Sequence, residues 1–530
     1  MAQSMPHAAP PAPARGRRPR ARGVPLGNEV RAAVTLLDAV LRSVEAVAWE
    51  TRKLAADAAL GFSDAKRGFG DAMGDARRWR QRQARLAVTS WMLTKVAGSY
   101  RWTELRAAFT SDEAARRYIE GLHATNAARF YATSAEQGGA FLKVGQLLSA
   151  RPDVMPAAWV AELSKLQDAA PAIPWPEVAE LLTAELGAPL ETHFAAFDTA
   201  PIAAASIGQV HRAVTHSGLE VAVKVQRPGI GELVDADMAL LELFLESLAT
   251  LLPRTDYATI AAELTEMIRL ELDYRREAEV TTRMAAVFTG LAGVRVPRVV
   301  PELCSGRVLT TTFERGRKIA TVLDELAARG DAEGREALSD LLGRLLEAYL
   351  VQVLGRGEFQ ADPHPGNFLV AEDGALVLLD FGCTKQLPEL MRTGFGGLLS
   401  SFVCGDTAAM AMLFGELGFA TASGRTETLD AFAQILLHQF RLALTSGESF
   451  RWPERDEMIA QMAGVVEQSR RDPVVRIPPE FVMLGRVFST LAGLFTHYRP
   501  SIDWTARVLP HVARAAAESA ARAASATTTG

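Results

Sequence analysis

The sequence predicts an α+β fold: a small antiparallel sheet lobe leading into a helical lobe, with a run of helices ahead of both. Three observations predict it. Apolar residues keep helical spacing ahead of Pro201, alternate strictly in "LEVAVKV", and return to helical spacing after Asp331. At 530 residues the chain exceeds one core, so about three or four domains or subdomains are expected. An apolar fraction of 48% supports real cores, and a mean hydropathy of +0.06 is ordinary for a folded chain.

Composition also excludes some functions. A formal net charge of −5 gives the bulk of the molecule no field suited to nucleic acid. The three cysteines, Cys304, Cys383 and Cys404, lie far apart, which argues against a disulfide framework or a zinc site and suits a reducing compartment.

In chain order, residues 1–27 carry five Arg, no acid and repeated Pro, and are expected to be a disordered basic arm. Residues 28–120 read as helical, with Leu37, Leu41, Val44 and Ala48 on one face. Five Arg between Arg77 and Arg85 flank Trp79 and precede an apolar stretch around Trp91. That segment reads either as a surface for anionic membrane or as a solvated helix face packed on its neighbours. No secretory h-region stands at the start, and the richest apolar stretch, Met238–Leu252, is broken by Glu242 and Glu246. The expected location is therefore cytoplasmic, with peripheral membrane contact through the first hundred or so residues.

Residues 121–200 form the next unit. "GGAFLKVGQLLSARPDVMP" predicts a helix stopped before Pro152, because residues preceding proline avoid the helical basin. "DAAPAIPWP" reads as a linker, and a short helix follows around 179–186. In the 201–314 unit, "SIGQVHRAVTHSGLEVAVKVQRP" predicts two strands around a turn at Ser217–Gly218. A single long charged helix is expected over Thr259–Phe288, and "VRVPRVVPELCSGRVLTTTFERG" predicts two more strands. The 315–512 unit is helical apart from one hairpin, and 513–530 is an Ala-rich tail expected to fray.

"ADPHPGNFLVAEDGALVLLDFGC" sets the chemical question. Handling a terminal phosphate needs a lysine for the phosphates, an acid to orient it, hard oxygen donors for magnesium, and a base. Lys224 lies on the "VAVKV" strand, where it also reads as an edge charge. Glu277 lies on the following helix, where it also reads as a solvated acid. Asp380 closes the strand "ALVLLD", while Asp362 and Asn367 sit on the loop before it. The "EDG" turn brings Asn367 and Asp380 together. Each residue alone also serves as a turn former or surface charge. Their joint occurrence in the order Lys, Glu, Asp, Asn, Asp reads as a metal–nucleotide site.

These residues resemble the protein-kinase signature set: "VAVK", a helix Glu, Asp-x-x-x-x-Asn and Asp-Phe-Gly. The surrounding text is closer to the UbiB/AarF (ADCK-like) family of atypical kinases. The segments carrying that resemblance are "KVGQ", "AAASIGQVHRA", "VAVKVQRPGI", "ELDYRREAE", "ADPHPGN" and "LLDFG", within roughly 120–500. The resemblance implies a protein-kinase-like two-lobe fold and an N-terminal helical extension, 121–200, that covers the cleft. It implies ATP or ADP with Mg2+ as cofactors, Lys224, Glu277 and Asp362 in catalysis, and Asn367 and Asp380 on the metal. The Ala-rich loop Ala203, Ala204, Ala205, Ser206, Ile207, Gly208 and Gln209 would replace the usual glycine-rich cover. One glycine instead of several restricts close backbone approach to phosphate, which favours ADP retention or slow hydrolysis. Adenine would meet the backbone at Thr312, Phe313 and Glu314. Lys143, Gly145 and Gln146 match the family's KxGQ motif, and Glu271 and Asp273 its ExD motif, with a Lys143–Glu271 pair closing the site.

The chain departs from the kinase pattern at Gln360-Ala361-Asp362, where His and Arg are missing, which puts the role of Asp362 as a base in question. No Ala-Pro-Glu anchor follows Asp380-Phe381-Gly382, so a peptide-docking segment has little room. The resemblance thus implies an ATP-dependent phosphotransferase or ATPase that supports isoprenoid-quinone or prenyl-lipid metabolism, with a lipid or quinone-precursor ligand and no protein substrate. A nucleotide-binding pseudokinase scaffold for membrane-associated enzymes is the alternative. An aminoglycoside-type phosphotransferase shares the Asp-x-x-x-x-Asn logic but lacks "KVGQ" and "AAASIG". Neither the acceptor nor the oligomeric state is legible.

Overall fold

The computed structural model describes residues 112–149, 155–168, 172–231, 257–425 and 471–528, with scattered positions in 84–103 and at 234, 238 and 427–429. The basic arm, the Leu37–Ala48 face and most of the Arg77–Arg85 stretch lie outside the described residues.

Three helices come first: α1 (Asp112–Gln137), α2 (Gly139–Ser149) and α3 (Ala157–Leu163). Their apolar faces meet around Phe130, Phe141 and Trp159, all fully buried. The linker then leads to α4 (Trp175–Leu186), followed by β1 (Phe194–Phe197), β2 (Ala203–Ala204), β3 (Gly208–Thr215) and β4 (Glu220–Gln226). Gly218, at φ +80°, turns β3 into β4. Val221, Val223 and Val225 alternate inward on β4 and pack with α4 residues Val178 and Leu182, so Lys224 points to the other face.

Where one helix was expected over Thr259–Phe288, there are two: α5 (Tyr257–Leu270) and α6 (Tyr274–Phe288). The break falls at Glu271–Leu272–Asp273. Asp273 caps α6 by accepting from the Arg276 N–H at 3.1 Å, the local preference of a short acidic side chain at an N-cap. The next two strands also separate. β5 (Val294–Arg295) runs parallel to a later strand in another sheet, and only β6 (Val308–Thr312) joins β4. Pro297 and Pro301 remove ladder donors between them, leaving a single bridge from Val299 to Thr311. The first sheet has the order β1-β3-β4-β6, with β2 beside β3.

After β7 (Gly316–Lys318) the chain is largely helical, through α7 (Ile319–Arg329) and α8 (Ala332–Leu350). α8 runs on into a wider π-turn, Val351–Arg356. β8 (Glu358–Gln360), β9 (Phe368–Ala371), β10 (Leu376–Leu378) and β11 (Thr384–Gln386) come next. β9 and β10 are the expected antiparallel hairpin, joined in a sheet of order β5-β10-β9-β7, and β8 pairs with β11. α9 (Glu389–Cys404), α10 (Thr407–Glu416), α11 (Pro479–Tyr498) and α12 (Leu509–Thr528) complete the described helical lobe. The Ala-rich tail is not frayed at its start: it continues α12, whose Ala515 is buried against Gly396 and whose Glu518 pairs with Arg392 at 2.7 Å. Alanine has the best helix propensity, and the ion pair anchors it. No helix among the described residues is long and apolar enough to cross a membrane.

Candidate functional site

Two charge clusters line the junction between the sheet and the helical lobe. The first is built on Lys224. Because Asp273 starts α6, Glu277 falls in the first turn and is buried beneath β4. The Lys224 ammonium donates to Glu277 Oε1 at 2.7 Å and Oε2 at 2.8 Å, and to Asp380 Oδ2 at 2.9 Å. It also stands 5.0 Å from the Tyr274 ring centroid. Burial alone would lower the Lys224 pKa, but the Asp380 and Glu277 carboxylates outweigh it and raise it well above the ordinary range. Burial pushes the Glu277 carboxyl up to about 7, with Lys224 opposing. The Asp380 carboxyl is held below its ordinary value because Lys224 outweighs the opposing effect of burial.

Asp380 sits just past β10. Its Oδ1 accepts from the Gly382 N–H at 3.0 Å. A Cβ on Gly382 would come 3.1 Å from Glu277 Oε2, so glycine lets the strand end approach α6. Asn367 lies immediately before β9, and the Leu379 N–H donates to its carbonyl at 3.0 Å, which ties it beside Asp380. The Asn367 side-chain nitrogen donates to the Asp362 carbonyl at 3.1 Å, leaving its amide oxygen as the metal-capable atom. One carboxylate and one amide oxygen fit Mg2+, which keeps several waters and takes phosphate oxygens. No cluster of three or more His, Cys, Asp or Glu suited to a metal occurs among the described residues.

The second cluster surrounds Asp362. Lys143 of α2 reaches Glu271 Oε1 at 2.7 Å and Asp362 Oδ2 at 3.0 Å, while Arg486 of α11 reaches Asp362 Oδ1 at 2.6 Å. Burial opposes ionisation of Asp362, but Arg486 and Lys143 hold its carboxyl well below the carboxylate range. Lys143 is raised, since Asp362 and Glu271 outweigh its burial. Both oxygens of the candidate base are thus occupied by cations.

The remaining motif residues divide by role. Gly145 and Gln146 meet Leu166. A Cβ on Gly145 would come within 2.3 Å of Leu166, and the Gln146 side chain donates to the Leu166 carbonyl at 2.9 Å, so both dock α2 on the following segment. Asp273 is a helix cap, not a member of the Lys143 cluster. Ala203 and Ala204 pair with Val210 and Gln209 on β3, and the Ala205 N–H donates to the Gly208 carbonyl at 2.7 Å to close the loop. Ser206 and Ile207 are buried, and the Ile207 carbonyl accepts from Arg227 at 2.7 Å. A Cβ on Gly208 would meet the Val225 carbonyl at 2.4 Å and the Tyr274 hydroxyl at 2.7 Å, so only glycine fits. The Gln209 side chain turns to the linker. Its side-chain oxygen accepts from the Ile173 N–H at 2.6 Å and its nitrogen lies 2.8 Å from His211 Nε2, so it pins the linker. At the sheet exit, the Phe313 N–H donates to the Glu220 carbonyl at 3.0 Å and Thr312 accepts from the Arg298 N–H at 3.0 Å.

Arg486 was not foreseen. Its signal is present: a lone arginine in the apolar run "FVMLGRVF" must find a buried partner.

The fold and this pair of clusters define an atypical-kinase class of protein. A family model described as "ABC1 atypical kinase-like domain" matches residues 165–414. ACTIVITY OF BC1 COMPLEX KINASE 7, chloroplastic, of Arabidopsis thaliana is 35% identical over 71% of this chain and 52% of its own length. An uncharacterized aarF domain-containing protein kinase of the same plant is 30% identical over 78% of this chain and 56% of its own length. A Synechocystis protein is 33% identical over 58% of this chain and 76% of its own length. The chain belongs to the ABC1/AarF family of atypical kinases. It spans about half the length of the chloroplast relatives it matches. A solved structure of Rv3197 with erythromycin, from Mycobacterium tuberculosis, covers 74% of this chain and 96% of its own at 24% identity and TM-score 0.48.

Proposed function

We propose that the chain binds ATP or ADP with Mg2+ between the 201–314 and 315–512 units and turns it over slowly as an ATPase or phosphotransferase. The observation that carries this reading is the three-way clamp of Lys224 between Glu277 and Asp380, with Asn367 tied alongside. Lys224 would hold phosphate oxygens, Glu277 would fix its direction, and Asp380 and Asn367 would hold Mg2+. Bound Mg2+ supplies charge neutralisation for the terminal phosphate. For transfer, Asp362 takes the proton of the acceptor hydroxyl as its oxygen attacks the terminal phosphorus and ADP leaves. That step requires α2 to withdraw, which takes Lys143 off Asp362 Oδ2 while Arg486 of α11 stays on Oδ1.

The acceptor is a small or lipid-borne molecule of quinone-precursor or prenyl-lipid type. Two features support this. α2 lies over Asp362, and α9 begins at Glu389, too soon after Asp380 for a peptide-docking segment. A peripheral membrane site is supported by Trp91 and Trp102, which are 62% and 64% exposed and follow the Arg77–Arg85 stretch in the sequence. The pseudokinase reading stays alongside, because a carboxylate sealed by two cations is a poor base as it stands.

ADP release from Mg-ATP by the full chain, alone and with anionic vesicles, detergent or quinone-like phenols, tests the reading. Turnover that rises with vesicles or phenols is expected. Nucleotide binding without turnover in any condition would leave the scaffold role instead.

A further inference from the structure

Behind Asp380 lies a chain of buried neutral groups that the metal and phosphate roles do not use. Gln360, at the end of β8, is 1% exposed, and Gln352 of the π-turn is fully buried. The Gln360 side-chain nitrogen donates to the backbone carbonyl of Asp380. Its oxygen accepts from the Tyr349 hydroxyl at 2.7 Å. Its own N–H donates to Gln352 Oε1 at 2.9 Å, and Gln352 Nε2 donates to the Ala348 carbonyl at 3.2 Å. The amide has only one workable orientation: flipped, it would set oxygen against the Asp380 carbonyl, which can only accept. Strand pairing adds a second tie, since Thr384 faces Gln360 across β8–β11 and the Ala361 N–H donates to the Cys383 carbonyl at 2.7 Å.

We infer that Gln360 is a positioning residue that sets the Asp380 main chain, and through it the direction of the Asp380 carboxylate toward Mg2+, by a neutral amide oriented by Tyr349 and Gln352. The inference rests on the nucleotide reading above. It follows from satisfaction and burial: without the Gln360 donor the Asp380 carbonyl is less firmly held, and the Asp380–Gly382 turn, whose N–H orients the Asp380 carboxylate, loses one of its anchors. Partners of this kind set metal affinity without touching the metal. An amide also keeps its donor at every pH.

The test is an Mg2+ titration of the full chain with a fluorescent ADP analogue, against an EDTA control. Gln360→Met is expected to weaken the Mg2+-dependent part of binding about 10-fold, the lower end for an outer partner of a metal ligand, and to leave binding in EDTA unchanged. Gln360→Glu can donate to the Asp380 carbonyl only when protonated, so its Mg2+ dependence should approach wild type at low pH and fall as pH rises. Tyr349→Phe should act in the same direction with a smaller loss. Folded Gln360→Met with wild-type Mg2+ dependence, or Gln360→Glu with a wild-type pH profile, overturns the inference and leaves the parent reading intact. If Gln360→Met does not fold, wild-type behaviour of Tyr349→Phe overturns it. Wild-type protein that binds no nucleotide with Mg2+ overturns both.

Discussion

The Lys224 and Lys143 clusters use the same side-chain types and meet opposite fates. Around Lys224 one cation serves two carboxylates, and the Asp380 side chain keeps 35% of its surface exposed. Around Lys143 two cations serve two carboxylates, and no side chain is more than 12% exposed. With both carboxylates ionised the first carries a surplus negative charge and has an exposed edge, the condition for recruiting a divalent ion. The second is balanced and dry, so it ties α2 and α11 to the loop that carries Asp362. Charge count and exposure, not residue identity, separate a poised site from a closed one.

The largest expected effect strikes the poised cluster. Asp380→Asn should lower Mg-ATP turnover at least ~100-fold, the scale for losing one preorganised electrostatic group. Equal turnover in variant and wild type would erase the distinction drawn between the clusters. Next comes the sealed side. Arg486→Met leaves Asp362 half-paired in a dry site and should cost about 3–5 kcal/mol of stability in denaturant unfolding. A loss below about 1 kcal/mol would mean that water already reaches Asp362.

A smaller effect separates the clusters by pH. The Asp362 carboxyl is depressed, so its stabilising contribution is complete above the unfolded value of 3.8 and lost only as pH falls below it. Lys143 is raised, so its contribution is complete below 10.5 and lost only above its folded value. The Lys143–Asp362 pair should therefore stay closed across neutral pH. Glu271, raised by burial, is the one member of that cluster that takes a proton earlier in acid. In the poised cluster Glu277, raised to about 7, disfavours the fold when ionised and regains stability as pH falls from there toward 4.5. Infrared titration should show a carboxyl band with a midpoint near 7 that is absent in Glu277→Gln. A silent neutral range would contradict the crowding of two carboxylates on Lys224.

The β3–β4 and β9–β10 hairpins, with the residues they present, were legible because alternation and Gly turns are local signals. Asn367 comes beside Asp380 for that reason, whereas Lys224 meets Asp380 only through packing across 156 positions. The break at Asp273 was missed because apolar spacing runs through it, although the capping residue stood in plain view. The Gln209–Ile173 contact was not legible because a β-strand period says which face a side chain takes, not that a linker from Ile173 will occupy that face. Arg486 and the Gln360–Tyr349 contact join residues far apart in sequence or buried behind the site, and no spacing rule reaches them. The tail erred toward disorder because low complexity hid a partner on α9.

The most direct measurement of the central claim is ADP release from Mg-ATP by three proteins: wild type, the double variant Lys143→Met/Glu271→Gln, and that variant with Asp380→Asn added. With the sealed cluster holding Asp362 back and the poised one holding the metal, turnover should be slow in the first, faster in the second and lost in the third. Equal rates in all three would contradict it.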